Sequence, residues 1–98
     1  MYASIRRYVG VDSKSADEIF RRVDAGFVPI ISQSPGFVAY YAIDAGDGAV
    51  ASITIFEDQA GAEESNRRAA DWVKENLAGL LPSGPQITAG EVKTHTVR

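Results

Sequence analysis

The order of apolar patterns along this chain leaves few folds open to it. Two stretches repeat at spacings of three and four, the mark of an amphipathic helix. The first runs through Ala16, Ile19, Phe20, Val23, Phe27, Ile30 and Ile31. The second tracks Ala62, Ser65, Ala69, Trp72, Val73, Asn76, Leu77, Leu80 and Leu81. Stretches rich in β-branched and aromatic residues flank both: 2–9 and 37–44 around the first, 49–56 and 86–97 around the second. The order is therefore strand–helix–strand, twice. Right-handed crossovers then predict an α+β, ferredoxin-like βαββαβ fold. Its four-stranded antiparallel sheet has both helices on one face and, in this arrangement, strand order 4-1-3-2. At 98 residues, the expectation is a single domain spanning 1–98.

Local signals set the boundaries. Ser15 and Glu18 fit a capping box that opens the first helix. Gly26 and Pro29 conflict with that helix, because proline removes a hydrogen bond and crowds the preceding turn. The stripe keeps its phase at Ile30 and Ile31, so a kink near 25–29 with a further turn to Gln33 is expected. Gly46-Asp47-Gly48 suits a hairpin between the second and third strands. Asp58 is a good N-cap for a helix over 59–80, roughly 33 Å long at about 1.5 Å per residue. The last strand is expected over 86–97, with Gly90 as its weak point.

The strands leave no clean polar face. On the third strand, Ala51, Ile53 and Ile55 form one side, and this aliphatic side is expected under the helices. The opposite side carries Val50, Ser52, Thr54 and Phe56, with Tyr2, Ser4, Arg6 and Tyr8 from the first strand. An apolar aromatic face without a cover marks an interface. A homodimer joined through these faces is therefore expected.

The layout resembles the dimeric α/β-barrel superfamily that includes the antibiotic-biosynthesis-monooxygenase-like proteins. The resemblance spans the whole chain. It rests on the element order, on Pro35-Gly36-Phe37 entering the second strand, on Ile55-Phe56-Glu57-Asp58 closing the third, and on Ala69-Ala70-Asp71-Trp72 within the second helix. It implies two sheets packed face to face and a ligand pocket between sheet and helices in each subunit. Activities in the superfamily include cofactor-free oxygenation of aromatic polyketides and haem breakdown. Haem-degrading members pair an Asn on the first strand with a Trp and a downstream His on the second helix. Trp72 has a similar setting, but Arg6 and Arg7 stand where the Asn would, and no His follows Trp72 on the helix.

Six residues are candidates for a ligand pocket. Trp72 is amphipathic and sits on the helix's apolar stripe, where it also serves as core. Asn66 is a small polar residue beside that stripe. Arg6 on a tyrosine-bearing strand suits an anionic ligand or an interface ion pair. Tyr40 and Tyr41 are adjacent, so one of them faces the helices. His95, the one histidine, lies between Thr94 and Thr96 and reads most simply as a surface residue on the last strand.

Several functions are disfavoured. Net charge is −3 with no basic stripe, against a nucleic-acid partner. No apolar run reaches the roughly 18 residues of a membrane span, and no signal-peptide core opens the chain. Without cysteine and with one histidine, no metal site within the chain is expected. No glycine-rich loop opens a helix to cradle phosphate, and no cofactor is implied. The absence of cysteine suits a reducing cytoplasm, where the protein is expected. Two readings remain: a protein that binds a small apolar ligand between sheet and helices, or a cofactor-independent monooxygenase acting on an aromatic or quinol-like molecule.

Overall fold

A computed structural model describes all of residues 1–98. The chain forms β1 (Tyr2–Tyr8), α1 (Ala16–Arg22), a π-helical turn (Val23–Phe27), α2 (Val28–Ser32), β2 (Phe37–Gly46), β3 (Ala49–Phe56), α3 (Gln59–Asn76) and β4 (Gln86–Glu91). The sheet is antiparallel in the order β2-β3-β1-β4, which is the ferredoxin-like arrangement expected.

The conflict at Pro29 is resolved without a break. The Val28 N–H donates to the carbonyl of Val23, five residues back. This wide turn absorbs one residue and lets Pro29 fall in the first turn of α2, where its missing N–H costs little. Phe27 and Ile31 remain on the buried side, 4% and 1% exposed.

Three boundaries differ from expectation. Ser15 makes no side-chain cap bond. Glu18 does not reach back toward it; its carboxylate instead takes the guanidinium N–H groups of Arg21 and Arg22. Those hydrogen bonds lower the Glu18 pKa to about 2. The third helix ends at Asn76, because Leu77 leaves helical geometry and buries itself in the core. Leu80 and Leu81 then fold back in a turn on Leu77. The last strand stops at Glu91. It runs antiparallel to β1 and reaches that strand's start, where the Val92 N–H bonds to Met1 O. Residues 92–98, His95 among them, carry no regular structure.

The assignment of the sheet faces is the reverse of the expectation. Ser4, Arg6, Tyr8, Val50, Thr54 and Phe56 lie buried beneath the helices. The aliphatic side is the free one. There Ala3, Ile5 and Arg7 pair with Ile55, Ile53 and Ala51, which pair in turn with Ala39, Tyr41 and Ile43. Ile5, Tyr41 and Ile43 are 38%, 58% and 45% exposed. The physical reason lies in the helices. The sheet-facing residues of α3 include Ala62, Ser65 and Ala69, too small to fill the space, so rings from the strands fill it. A register irregularity between Phe37 and Ala39 adds to the reversal. It puts Phe37 opposite Phe56 on the helix side, with ring centroids 5.9 Å apart.

Two apolar clusters fill the space between sheet and helices. One gathers Tyr8, Val11, Ile19, Val50 and Leu77, the other Phe27, Ile31, Phe56, Ala62 and Ala69. Val23 and Trp72 pack against both. Asp58 caps α3 by accepting the Gly61 N–H at 2.8 Å. A Cβ on Gly61 would stand 2.7 Å from Phe56 Cδ1, and Phe56 is 1% exposed. Gly61→Ala should therefore destabilise the domain, by about 1–3 kcal/mol of overpacking against a helix-propensity gain of at most ~1 kcal/mol. Gly79→Ala, with nothing within 4 Å of the new Cβ, should stay within ~0.5 kcal/mol. Urea unfolding followed by far-UV circular dichroism measures both.

Candidate functional site

Alternation along β1 sends Arg6 and Tyr8 to the same face. The Arg6 Nη2 donates to the Tyr8 hydroxyl at 3.0 Å, and its guanidinium carbon lies 5.9 Å from the Tyr8 ring centre. Arg6 is 6% exposed and makes no ion pair with any carboxylate of the chain. A buried guanidinium is normally paired with an anion. Here its one hydrogen bond is to a neutral hydroxyl, and since no fully buried side-chain nitrogen of the chain lacks a partner, its other N–H donors open onto accessible space rather than closed core.

Arg6 forms part of the floor of a cavity of about 50 Å³. Ser52, its cross-strand neighbour, lies beside it. Tyr40 and Ala42 of β2, the helical residues Phe20, Val23 and Phe27, and Trp72 and Val73 of α3 form much of the wall. No histidine and no carboxylate lines it. Glycine at residue 26 lets Trp72 lie against the first helical run without crowding: a Cβ there would stand 3.0 Å from Trp72 Cζ2. The indole then meets Phe27 at 5.6 Å, and Phe27 meets Tyr40 edge-on at 5.9 Å.

Two larger depressions adjoin the cavity. Phe20, Val23, Tyr40 and Ala42 also line an open groove of about 600 Å³ along β2, which adds Asp24, Val28, Phe37 and Tyr41. Arg6, Tyr8, Val73, Leu77 and Leu81 also line a compartment of about 220 Å³ beside Lys74 and the 83–85 loop. The small apolar cavity thus shares walls with both larger depressions, which share none with each other.

The candidate residues are not all brought together. Arg6, Tyr40 and Trp72 share the inner cavity, and Tyr41 stands in the outer groove. Asn66 lines none of the three compartments; its Oδ1 accepts the Ser4 hydroxyl at 3.0 Å. His95 is exposed beyond β4 and lines none of them either. Tyr8 and Ser52 were not singled out from the sequence. The available signal was positional: Tyr8 lies two residues from Arg6 on one strand face.

Burial pushes the Tyr40 pKa above its ordinary 10.0, with the Ser52 hydroxyl acting against the shift. Tyr40 is thus a hydrogen-bond donor at neutral pH, not a base. Because the folded phenol holds its proton longer than the unfolded one, its contribution to stability is full below pH 10.0 and lost as pH rises through the folded value. Tyrosinate absorbance followed against pH in the wild-type and Tyr40→Phe proteins should differ by one group titrating above 10.0.

Fold and cleft together define a class: a ferredoxin-like α+β domain with an arginine-floored pocket between sheet and helices. This is the fold of the antibiotic-biosynthesis-monooxygenase-like proteins. Similar solved structures include a protein of unknown function from Nitrosomonas europaea, 20% identical, with TM-score 0.81 over 99% of this chain and 93% of that one. Another is the ActVA-Orf6 monooxygenase of Streptomyces coelicolor in complex with nanaomycin D, 18% identical, with TM-score 0.78 over 99% and 91%. A third is SnoaB, a cofactor-independent oxygenase from Streptomyces nogalater, 15% identical, with TM-score 0.70 over 96% and 94%. At these identities the likeness concerns the fold, and chemistry has to be argued from the residues. No family model matches the sequence, and no curated protein matches it. No helix is long and apolar enough to cross a membrane.

Proposed function

We propose that the protein binds a small aromatic molecule carrying an ionised oxygen in the cleft between sheet and helices. One observation carries this reading: Arg6 is buried on the floor of an apolar cavity with no carboxylate to neutralise it. An unpaired buried cation is costly, and an anionic ligand removes that cost. The other polar groups of the inner cavity are the hydroxyls of Tyr8, Tyr40 and Ser52 and the Trp72 indole N–H, all able to donate to an oxygen-rich ligand. The aromatic walls suit a planar body.

Trp72 is the chain's one tryptophan, so its fluorescence reports directly on the cleft. Titration with a hydroxynaphthoquinone should quench it saturably, and Arg6→Met should weaken binding by about 10-fold or more, as expected for a lost charge-assisted bond. The same substitution should raise the urea midpoint of the ligand-free protein, because a buried charge is replaced by an apolar side chain of similar length. A structural arginine would do the opposite. Unchanged binding in Arg6→Met would end the proposal.

A second reading is cofactor-independent oxygenation in this cleft. It is favoured by the same arginine, which would hold an aromatic substrate as its electron-rich oxyanion in a dry site. Conversion of a ring CH₂ to C=O by O₂ would then release one water, with the substrate supplying all the electrons. With no histidine or carboxylate lining the inner cavity, the substrate would have to arrive ionised or lose its proton to solvent. Oxygen uptake with anthrone-like substrates, which carry such a ring CH₂, no greater than in a boiled control would count against it.

We infer further that two copies pair through the free sheet face. Ile5, Tyr41 and Ile43 stand exposed there around Ile53 and Ile55, an apolar patch of the kind that marks interfaces. Light scattering after size exclusion should give twice the 10.5 kDa chain mass at micromolar concentration, and Ile53→Arg should give a folded monomer. A monomeric wild-type protein would refute the pairing.

A further inference from the structure

The cleft is electrically asymmetric. Asp24 is the one charged residue lining the outer groove along β2. Arg6 is the one charged residue of the inner cavity. The 220 Å³ compartment at the other end is lined by two cations, Arg6 and Lys74, and by no acid. Lys74 makes no ion pair, and its neighbours Asp71 and Glu75 line none of the three compartments. The remaining wall of that compartment includes Tyr8, Ala70, Leu77 and Ser83, so hydroxyl donors stand beside the cations.

Size argues the same way. A cavity of about 50 Å³ holds a few waters, since each needs ~10–15 Å³. It cannot enclose a ligand's charged head together with its body. The two-cation compartment has both the room and the charge.

We propose that this compartment is the oxyanion end of the ligand site. It takes the carboxylate or phosphate of an amphipathic aromatic acid between Arg6 and Lys74, beside the 83–85 loop. The ligand's apolar body runs from there beneath Trp72 toward β2, with Asp24 at the far mouth opposing the reverse orientation. This placement rests on the reading that the cleft binds an aromatic acid, and it makes Lys74 a ligand-binding residue in its own right.

Calorimetry with naphthoate, naphthyl phosphate and the methyl ester of naphthoate tests it. Lys74 is exposed, so its variants should fold as wild type. Lys74→Gln should weaken at least one of the two acids about 3-fold, within the range of a solvent-exposed charge pair, and Lys74→Glu roughly 10-fold, because repulsion then replaces attraction. The loss should shrink as salt is raised, and the ester should be unaffected. Whichever acid responds more assigns the head group. If both Lys74 variants bind both acids as wild type does while Arg6→Met does not, the oxyanion lies elsewhere in the cleft and only this placement fails. If Arg6→Met also binds them unchanged, the cleft reading fails and this inference with it.

Discussion

The close approach of Trp72 to the π-helical turn holds the domain's upper layer to its sheet. The indole touches both apolar clusters and is the side chain of α3 that lies against Gly26. Without a side chain at residue 26, the ring slides under the first helical run and meets Phe27. Phe27 in turn meets Tyr40 on the outermost strand. A line of three rings thus ties α3, the helical turn and β2. The extra residue of the π turn makes this possible, because it keeps Phe27 and Ile31 facing inward after Pro29 has removed a backbone donor.

Charge reinforces the same layer from outside. Glu18, Arg21 and Arg22 on α1 and Glu64, Arg67 and Arg68 on α3 repeat one spacing, a glutamate followed three and four residues later by arginines. In each set the second arginine also reaches the neighbouring helical run. Arg22 donates to the Asn76 carbonyl at the end of α3, and Arg68 to the Ser34 hydroxyl just beyond α2. The two halves of the βαββαβ chain cap each other in this way. These groups are exposed and individually weak; what they add is a fixed pairing of helix ends above the cleft. Arg6 differs from all of them. It is the arginine that the fold removes from water without supplying a carboxylate.

The architecture was legible from the chain because period and order were both clear. Alternation marked the strands, three-and-four spacing marked the helices, and crossover handedness left one sheet order. The faces were not legible. Both sides of β3 are apolar, so parity alone could not say which side met the helices, and the register irregularity at the start of β2 moved Phe37 across. The ends of α3 and β4 were misjudged because tertiary partners set them: Leu77 is drawn into the core, and β4 runs off the start of β1. The same reversal hid the grouping of the cleft. Arg6, Tyr40 and Trp72 each stand out in the sequence, but the expected faces put Arg6 away from the helices and Trp72, and parity leaves open which of Tyr40 and Tyr41 turns inward. His95 stood out only because it is the single histidine.

The division of residue types between the faces accounts for both the pocket and the free surface. Beneath the helices, small residues on α3 leave depth that Phe56 and Tyr8 from the strands and Phe27 from the helical turn help to fill, alongside Ile19, Ile31, Val50 and Leu77. Between these rings a small cavity of about 50 Å³ remains. On the other face the cross-strand rows are mostly isoleucine and alanine, with Tyr41 and Arg7 at their ends. Side chains of that size suit two sheets stacked at about 10 Å.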